Sequence, residues 1–199
     1  MDGLISKFSR MLKSIYYEIR KFQFSRIPGI KIGSGVVFDG KPIINVLNGG
    51  SIVIGDNVTL NSSNRGYHLN MYTPVKLFAD RPGAKIEVGQ RTRIHGSCLH
   101  AYTSIVIGEK CLIAANCQII DSSGHNLSFD NIGNRINTLG NGRPIVVQDC
   151  VWIGANTIIL PGVTIGKGSV IGAGSIITKD IPPMVVAAGN PARVIKAVE

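Results

Sequence analysis

The sequence predicts an all-β protein: a parallel β-helix of hexapeptide repeats, with an N-terminal amphipathic α-helix and one extended loop. Three observations carry this reading. Large aliphatic residues recur at every sixth position, the first 28 residues follow a helical period instead, and a polar stretch at 121–146 interrupts the six-residue register.

The repeat is cleanest near the C-terminus. Val147, Ile153, Ile159, Ile165, Ile171 and Ile177 fall six apart without a break. Four places after each stand Val151, Thr157, Val163, Ser169, Ser175 and Ile181, mostly small or β-branched. Glycine follows the aliphatic in Ile153-Gly154, Ile165-Gly166 and Ile171-Gly172, and upstream in Ile32-Gly33, Ile54-Gly55, Val88-Gly89 and Ile107-Gly108. A period of six fits neither a helix nor a simple strand. A short strand plus a turn consumes six residues, so three units close one triangular coil of about 18. The aliphatic points inward and stacks on its copy one coil later, the small residue fills the corner, and glycine or Asn/Asp supplies the turn. The repeat domain is expected over 29–182, with 183–199 as a C-terminal tail.

Composition agrees with a stacked coil. The chain has 199 residues, 44% apolar and 17% charged, which excludes wholesale disorder. Aromatics are only 6%, against 24 glycines, so the core is not built around rings. No stretch approaches the ~20 apolar residues of a membrane span, and no signal-type segment opens the chain, so a cytoplasmic location is expected. Cys98, Cys111, Cys117 and Cys150 show no metal-site spacing; reduced thiols acting as small fillers are expected, the first three at corner places.

The net charge of +9 is unevenly placed. Residues 1–31 hold seven bases and two acids, so more than half of the excess lies there. Within this segment Leu4, Phe8, Met11, Ile15, Ile19 and Phe22 form one helical stripe, widened by Ile5, Leu12 and Tyr16, and Pro28-Gly29 stops the helix. Two readings stay open: a helix packed on its own domain or a neighbouring subunit, or a basic amphipathic helix on the anionic inner face of a membrane. Nucleic acid is not expected, because the bases lack a recognition motif around them.

Two stretches depart from the repeat. Residues 61–85 are looser, with Tyr67, His68, Tyr72, Pro74, Phe78 and Pro82. Residues 121–146 form a long polar insertion, and loops of that length in a compact repeat tend to be functional.

The insertion's GHNL, followed by VWIGANTIILPGVTIGKGSVIGAGSIITKDIPPMVVAAGNPARVIK, closely resembles the bacterial hexapeptide-repeat O-acetyltransferases, among them the galactoside, maltose and nodulation-factor acetyltransferases and enzymes acetylating surface polysaccharides. The match covers roughly residues 105–196. The resemblance implies a left-handed β-helix, a homotrimer with acetyl-CoA between neighbouring subunits, and sites built from two chains. It also implies a carbohydrate acceptor: a surface polysaccharide or its lipid-linked precursor.

His125 matches the family's catalytic histidine. A sugar hydroxyl is a poor nucleophile, and imidazole, with a free pKa of about 6.5, suits removal of its proton at neutral pH. An ordinary loop histidine is the bland alternative. Asp121, four residues upstream, either orients the imidazole or is a turn residue. For the donor, the resemblance implies contacts from Trp152 and Ala155 in WIGAN, Ala173 in GAGS, and Thr178 and Lys179 in TKD. Arg193 and Lys196 match basic positions near the CoA phosphates, where cations suit the charge. Ala155 and Ala173 equally suit corner packing. For the acceptor, His95 or Ser97 in RTRIHGSCLHAY is the expected contact, and Arg91 and Arg93 either face an acidic acceptor or are solvated.

Rival functions share this architecture. A zinc carbonic-anhydrase-like site would draw on His68, His95 and His100, although His100 falls at an inward place if the register holds. A non-catalytic scaffold would not bind acetyl-CoA. Antibiotic, serine or amino-sugar-nucleotide acceptors would keep the fold and donor. No metal is expected.

Overall fold

The computed structural model describes residues 2–47 and 49–197, the side chains of residues 2–7, 9 and 10 excepted. Three parallel sheets wind around one core. The first face runs in six strands from Ile30–Ile32 to Thr164–Ile165, and the third in six from Ile43–Val46 to Ile176–Ile177. The second holds eight, starting at Val37–Asp39 and finishing with a C-terminal hairpin, Val185–Gly189 and Ala192–Ala197. Successive coils stack in register: Val147 pairs with Ile165, Ile153 with Ile171, and Ile159 with Ile177. Each pair is 18 residues apart, the three-unit coil that the spacing implies.

The repeat assigns one task to each place. The inward aliphatics are fully buried and stack in columns such as Ile113, Ile153 and Ile171. Burial of each side chain contributes about 1.5–3 kcal/mol. The third place after the aliphatic takes a left-handed backbone, as at Asn57 (φ 57°), Asn116 (φ 65°) and Asn156 (φ 60°), where asparagine tolerates what most side chains resist. The glycine directly after the aliphatic answers a different demand. A Cβ at Gly154 would stand 2.5 Å from the amide nitrogen of Ala173 in the next coil, so glycine there is a matter of close approach.

The corner place is lined by groups that bond to the backbone. Thr157 Oγ1 donates to Gly154 O at 2.7 Å and Ser175 Oγ to Gly172 O at 2.6 Å. Cys111 and Cys117 are fully buried corner fillers, and burial pushes both thiols up to about 11, so they remain protonated. The other two cysteines differ from expectation. Cys150 is exposed at a left-handed turn (φ 59°). Cys98 is only half-buried, because the corner between Ile94 and Leu99 is taken by Ser97. The unit from Ile94 to Leu99 is five residues long, one short of the repeat, and its strand Cys98–Ala101 turns Leu99 and Ala101 inward. His100 therefore faces out, contrary to the uniform register, and its Nε2 lies 3.1 Å from Asp80 Oδ2.

The looser passage is shorter than 61–85. Lys76–Ala79 is a regular strand of the third face, which leaves 62–75 as the irregular excursion.

The N-terminal helix, α1 (Asp2–Ser25), lies on the first strands through Tyr17 and Phe24, with Ile27 beyond its end. The Phe24 ring is 5.4 Å from that of buried Phe38, and Tyr16 donates its hydroxyl to Gly40 O at 3.0 Å. At 3.6 residues per turn, Tyr17 and Phe24 are roughly opposite the long apolar stripe. Phe8, Met11, Leu12, Ile15, Ile19 and Phe22 all remain about half exposed. The helix thus docks by its narrower face and leaves its broader apolar face uncovered. The side chains of Leu4 and Ile5 lie outside the described ones. Among the described residues, no helix is long and apolar enough to cross a membrane.

Candidate active site

The long loop leaves the third face after Gln118–Ile120 and rejoins the first at Ile145–Val147. It folds back on itself. Ser122 bridges Gly142, Gly140 N donates to Gly124 O at 2.9 Å, and a 3-10 turn at Ile132–Asn137 closes the far end. Arg135 Nε reaches back to Leu127 O. A Cβ on Gly140 would stand 2.9 Å from Gly124 C and 3.0 Å from His125 N, so only glycine lets the two arms lie this close.

That fold-back sets the chemistry of His125. Its Nδ1 is 2.9 Å from Thr138 O. A carbonyl can only accept, so Nδ1 carries the proton and Nε2 keeps a free lone pair on an exposed ring. Thr138 is itself held by bonds from its amide and hydroxyl to Arg135 O, and its Oγ1 accepts from Asn126 N at 2.9 Å.

Asp121 does not orient this ring. It is fully buried, and its Oδ1 accepts from Tyr102 N while Oδ2 accepts from Thr103 N, Thr103 Oγ1 and Ser104 N, all within 2.8 Å. Its carbonyl also accepts from Arg143 N at 2.7 Å, which ties the two ends of the loop together. All four hydrogen bonds of the carboxylate go to that turn, and His125 Nδ1 is bonded to Thr138 O instead.

A cavity of about 670 Å³ opens on the second face. It gathers Trp152, Ala155 and Ala173 with His95, Arg93 and Tyr67. Trp152 stands on the outward column between Leu112 and Val170 and is about half exposed. Ala155 and Ala173 keep the wall low. His125 is not among the lining residues; its loop springs from the third face, above a smaller cavity of about 360 Å³ bounded by Ile120, Leu127, Arg143 and Leu160. Thr178 and Lys179 are exposed just past the last third-face strand, and Arg193 and Lys196 are exposed on the C-terminal hairpin.

At the acceptor candidates the structure separates the two residues. His95 lines the cavity, stacked flat against Tyr67 with centroids 4.4 Å apart. Burial, aided by the charge of Arg93 and by His68, pulls its pKa down to about 4, so the ring is neutral at physiological pH. Ser97 is fully buried. Its hydroxyl lies 2.8 Å from both His95 O and Ala114 O and accepts from Cys117 N at 2.9 Å, which leaves nothing for an acceptor. Arg93 lines the cavity, whereas Arg91 sits at an exposed left-handed turn. His68 and His95 share the second face while His100 is on the third, so the three imidazoles do not converge within the chain. Among the described residues there is no group of three metal-ligating side chains.

Three participants had no sequence signal pointing to the site. Thr138 acts through its carbonyl, which any residue carries. Tyr67 comes from the irregular excursion, where the six-residue count fails, and Asn61, whose Nδ2 is 3.2 Å from His95 Nδ1, ends the strand before it.

The pattern description "Bacterial transferase hexapeptide (six repeats)" matches residues 144–179. The galactoside O-acetyltransferase of Escherichia coli K12 is 43% identical over 118 residues, 58% of this chain and 56% of that protein. The chain spans just over half the length of the curated relatives it matches. Among solved structures, the polySia-specific acetyltransferase NeuO is 30% identical with a TM-score of 0.54, covering 85% of this chain and 87% of that one. The hexapeptide-repeat acetyltransferase VCA0836 of Vibrio cholerae, complexed with acetyl-CoA, is 25% identical with a TM-score of 0.55, covering 92% and 78%.

Proposed function

The chain belongs to the hexapeptide-repeat acetyltransferases and shares their left-handed parallel β-helix; from that premise we propose that it is an acetyl-CoA-dependent O-acetyltransferase acting on a carbohydrate hydroxyl. The acceptor is a surface polysaccharide or its lipid-linked precursor. The observation that carries the reading is the hydrogen bond from His125 Nδ1 to Thr138 O, which fixes the tautomer of a general base.

In the proposed reaction His125 Nε2 takes the proton of the acceptor hydroxyl as its oxygen attacks the thioester carbonyl. The new C–O bond forms, the C–S bond breaks, and the proton passes from imidazolium to the departing thiolate. Trp152, Ala155 and Ala173 are the proposed walls of the pantetheine channel, with Thr178 and Lys179 at its end. Arg193 and Lys196 are the bases proposed for the CoA phosphates; their exposure suits a solvated phosphate, and Lys196 offers a point charge rather than a bidentate fork.

A homotrimer with shared sites fits this arrangement. His125 and the Trp152 cavity lie on different faces of one chain, so the base reaches a cavity most directly on a neighbour. The loop also carries Leu127, Phe129, Ile132, Ile136 and Leu139, each more than 60% exposed, the apolar surface a subunit contact would cover. A membrane location is supported by the uncovered stripe of α1 beside an excess of bases.

His125→Ala should lose acetyl transfer to glycans by at least about 100-fold while still binding acetyl-CoA. Near-normal transfer by that variant would overturn the mechanism. Failure of the intact protein to bind acetyl-CoA would favour a scaffold.

A further inference from the structure

We propose that Asn61 is a positioning residue that fixes His95 as a hydrogen-bond donor, its Nε2–H offered to an oxygen of the acceptor. The proposal rests on the acetyltransferase reading for the identity of the acceptor, but not for the state of the ring.

A chain of two hydrogen bonds assigns the tautomer. Ser63 N donates to Asn61 Oδ1 at 2.9 Å, which settles the amide's orientation, since a backbone N–H cannot face an NH2 group. The Asn61 Nδ2 that remains lies 3.2 Å from His95 Nδ1. An amide nitrogen can only donate, so Nδ1 accepts and the ring's one proton sits on Nε2. Asn61 is buried and sits beside His95 on the neighbouring strand, so the amide has little freedom to turn away. Tyr67 stacks on the imidazole at an interplanar angle of 13° and restricts its rotation.

The groups facing the ring keep it uncharged. Arg93 precedes it on the strand, His68 lies beside it, and the Tyr67 hydroxyl is itself pushed above its ordinary range by burial. No carboxylate appears among these neighbours to hold an imidazolium. A neutral ring with one fixed donor recognises a lone pair, such as a sugar hydroxyl or ring oxygen, in a wall that is mostly apolar. His125 is locked in the opposite sense, with its lone pair free at Nε2. The two histidines therefore divide the work: one accepts a proton from the acceptor, and the other donates a hydrogen bond to it.

The test uses the full chain labelled with 15N-histidine, with the His95 signals identified by their loss in His95→Gln. Long-range proton–nitrogen NMR should show the Nε2–H tautomer, unchanged between pH 5.5 and 8. Asn61→Asp places a carboxylate at Nδ1, so it should move the proton to Nδ1 and bring titration into that window. In kinetics the same variant should raise the acceptor KM about ten-fold and leave acetyl-CoA KM within two-fold. A wild-type Nδ1–H tautomer, wild-type titration near pH 6.5, or an unchanged acceptor KM in Asn61→Asp would each overturn the proposal. The wild-type spectrum needs no variant to fold and no turnover, so its outcome is separate from loss of acetyl-CoA binding, which would overturn the acetyltransferase reading instead.

Discussion

Asp121 Oδ2 accepts both the main-chain N–H and the hydroxyl of Thr103, at 2.7 and 2.8 Å, from a position where no water reaches it. Asp121 organises the turn at 102–104 through its carboxylate and the closing end of the long loop through its main-chain carbonyl. Asp121→Asn would place an NH2 group against N–H donors. Charge-assisted bonds of this kind contribute roughly 1.5–3 kcal/mol each way. The variant should lower Tm by about 5 °C. The shape of its pH–rate profile should match wild type, because the carboxylate does not touch His125; a shifted lower limb would mean it does.

Gly140 tests the fold-back that presents His125. A valine there would collide with Gly124 and His125 backbone, so the arms must part and Thr138 O must leave Nδ1. Gly140→Val should reduce kcat at least ten-fold with acetyl-CoA affinity intact, since the residues proposed as donor walls, Trp152, Ala155 and Ala173, lie outside the loop. Tm should change little, because this segment is mostly exposed. Calorimetric titration beside steady-state kinetics separates the two effects.

Trp152 is exposed enough that its loss should cost little stability, yet its indole lines the cavity. Trp152→Ala should weaken acetyl-CoA binding about ten-fold and leave the melting temperature within two or three degrees. An unaltered dissociation constant would remove the indole from the donor site.

Stability should fall in acid in part through His95. Its folded-state pKa is depressed to about 4 against an ordinary value of 6.5, so in this window the unfolded chain binds the proton more readily. Stability from this group is intact above about pH 7, declines as pH falls through 6.5, and is fully lost below about 4. Because the side chain is partly exposed, screening reduces the effect to roughly 1–2 kcal/mol. The melting temperature of His95→Gln should therefore fall less than wild type between pH 7 and 4.5.

The stripe on α1 has its own test. Full-length protein should float with liposomes containing anionic lipid, and the lysines and arginines should make that binding weaken with salt. Phe8→Ser with Ile15→Ser should abolish flotation and leave the oligomeric state as in wild type. A wild-type protein that stays with the soluble fraction would assign the stripe to a subunit contact.

Much of this architecture is readable from residue order because the information is local. Ile153, Ile159 and Ile165 announce their inward direction by spacing, and the left-handed turn at Asn156 follows from what asparagine tolerates. His125 is legible for another reason: a run of family-like motif surrounds it. Legibility fails where a unit departs from six residues. Ser97 and Cys98 are adjacent and both small, and only the five-residue spacing from Ile94 to Leu99 decides which of them turns into the corner.

The sequence by itself determined the stacked aliphatic columns, the corner residues and the place of the loop, since a period of six encodes inward and outward at each residue. The tertiary structure decided which polar groups meet. Asn61 reaches His95 across 34 residues and Thr138 reaches His125 across 13, separations set by an excursion and a fold-back rather than by the 18-residue coil. Hydrogen-bond partners depend on chain segments brought together by packing, and so does the division of two chemically identical imidazoles into one protonated at Nδ1 and one protonated at Nε2.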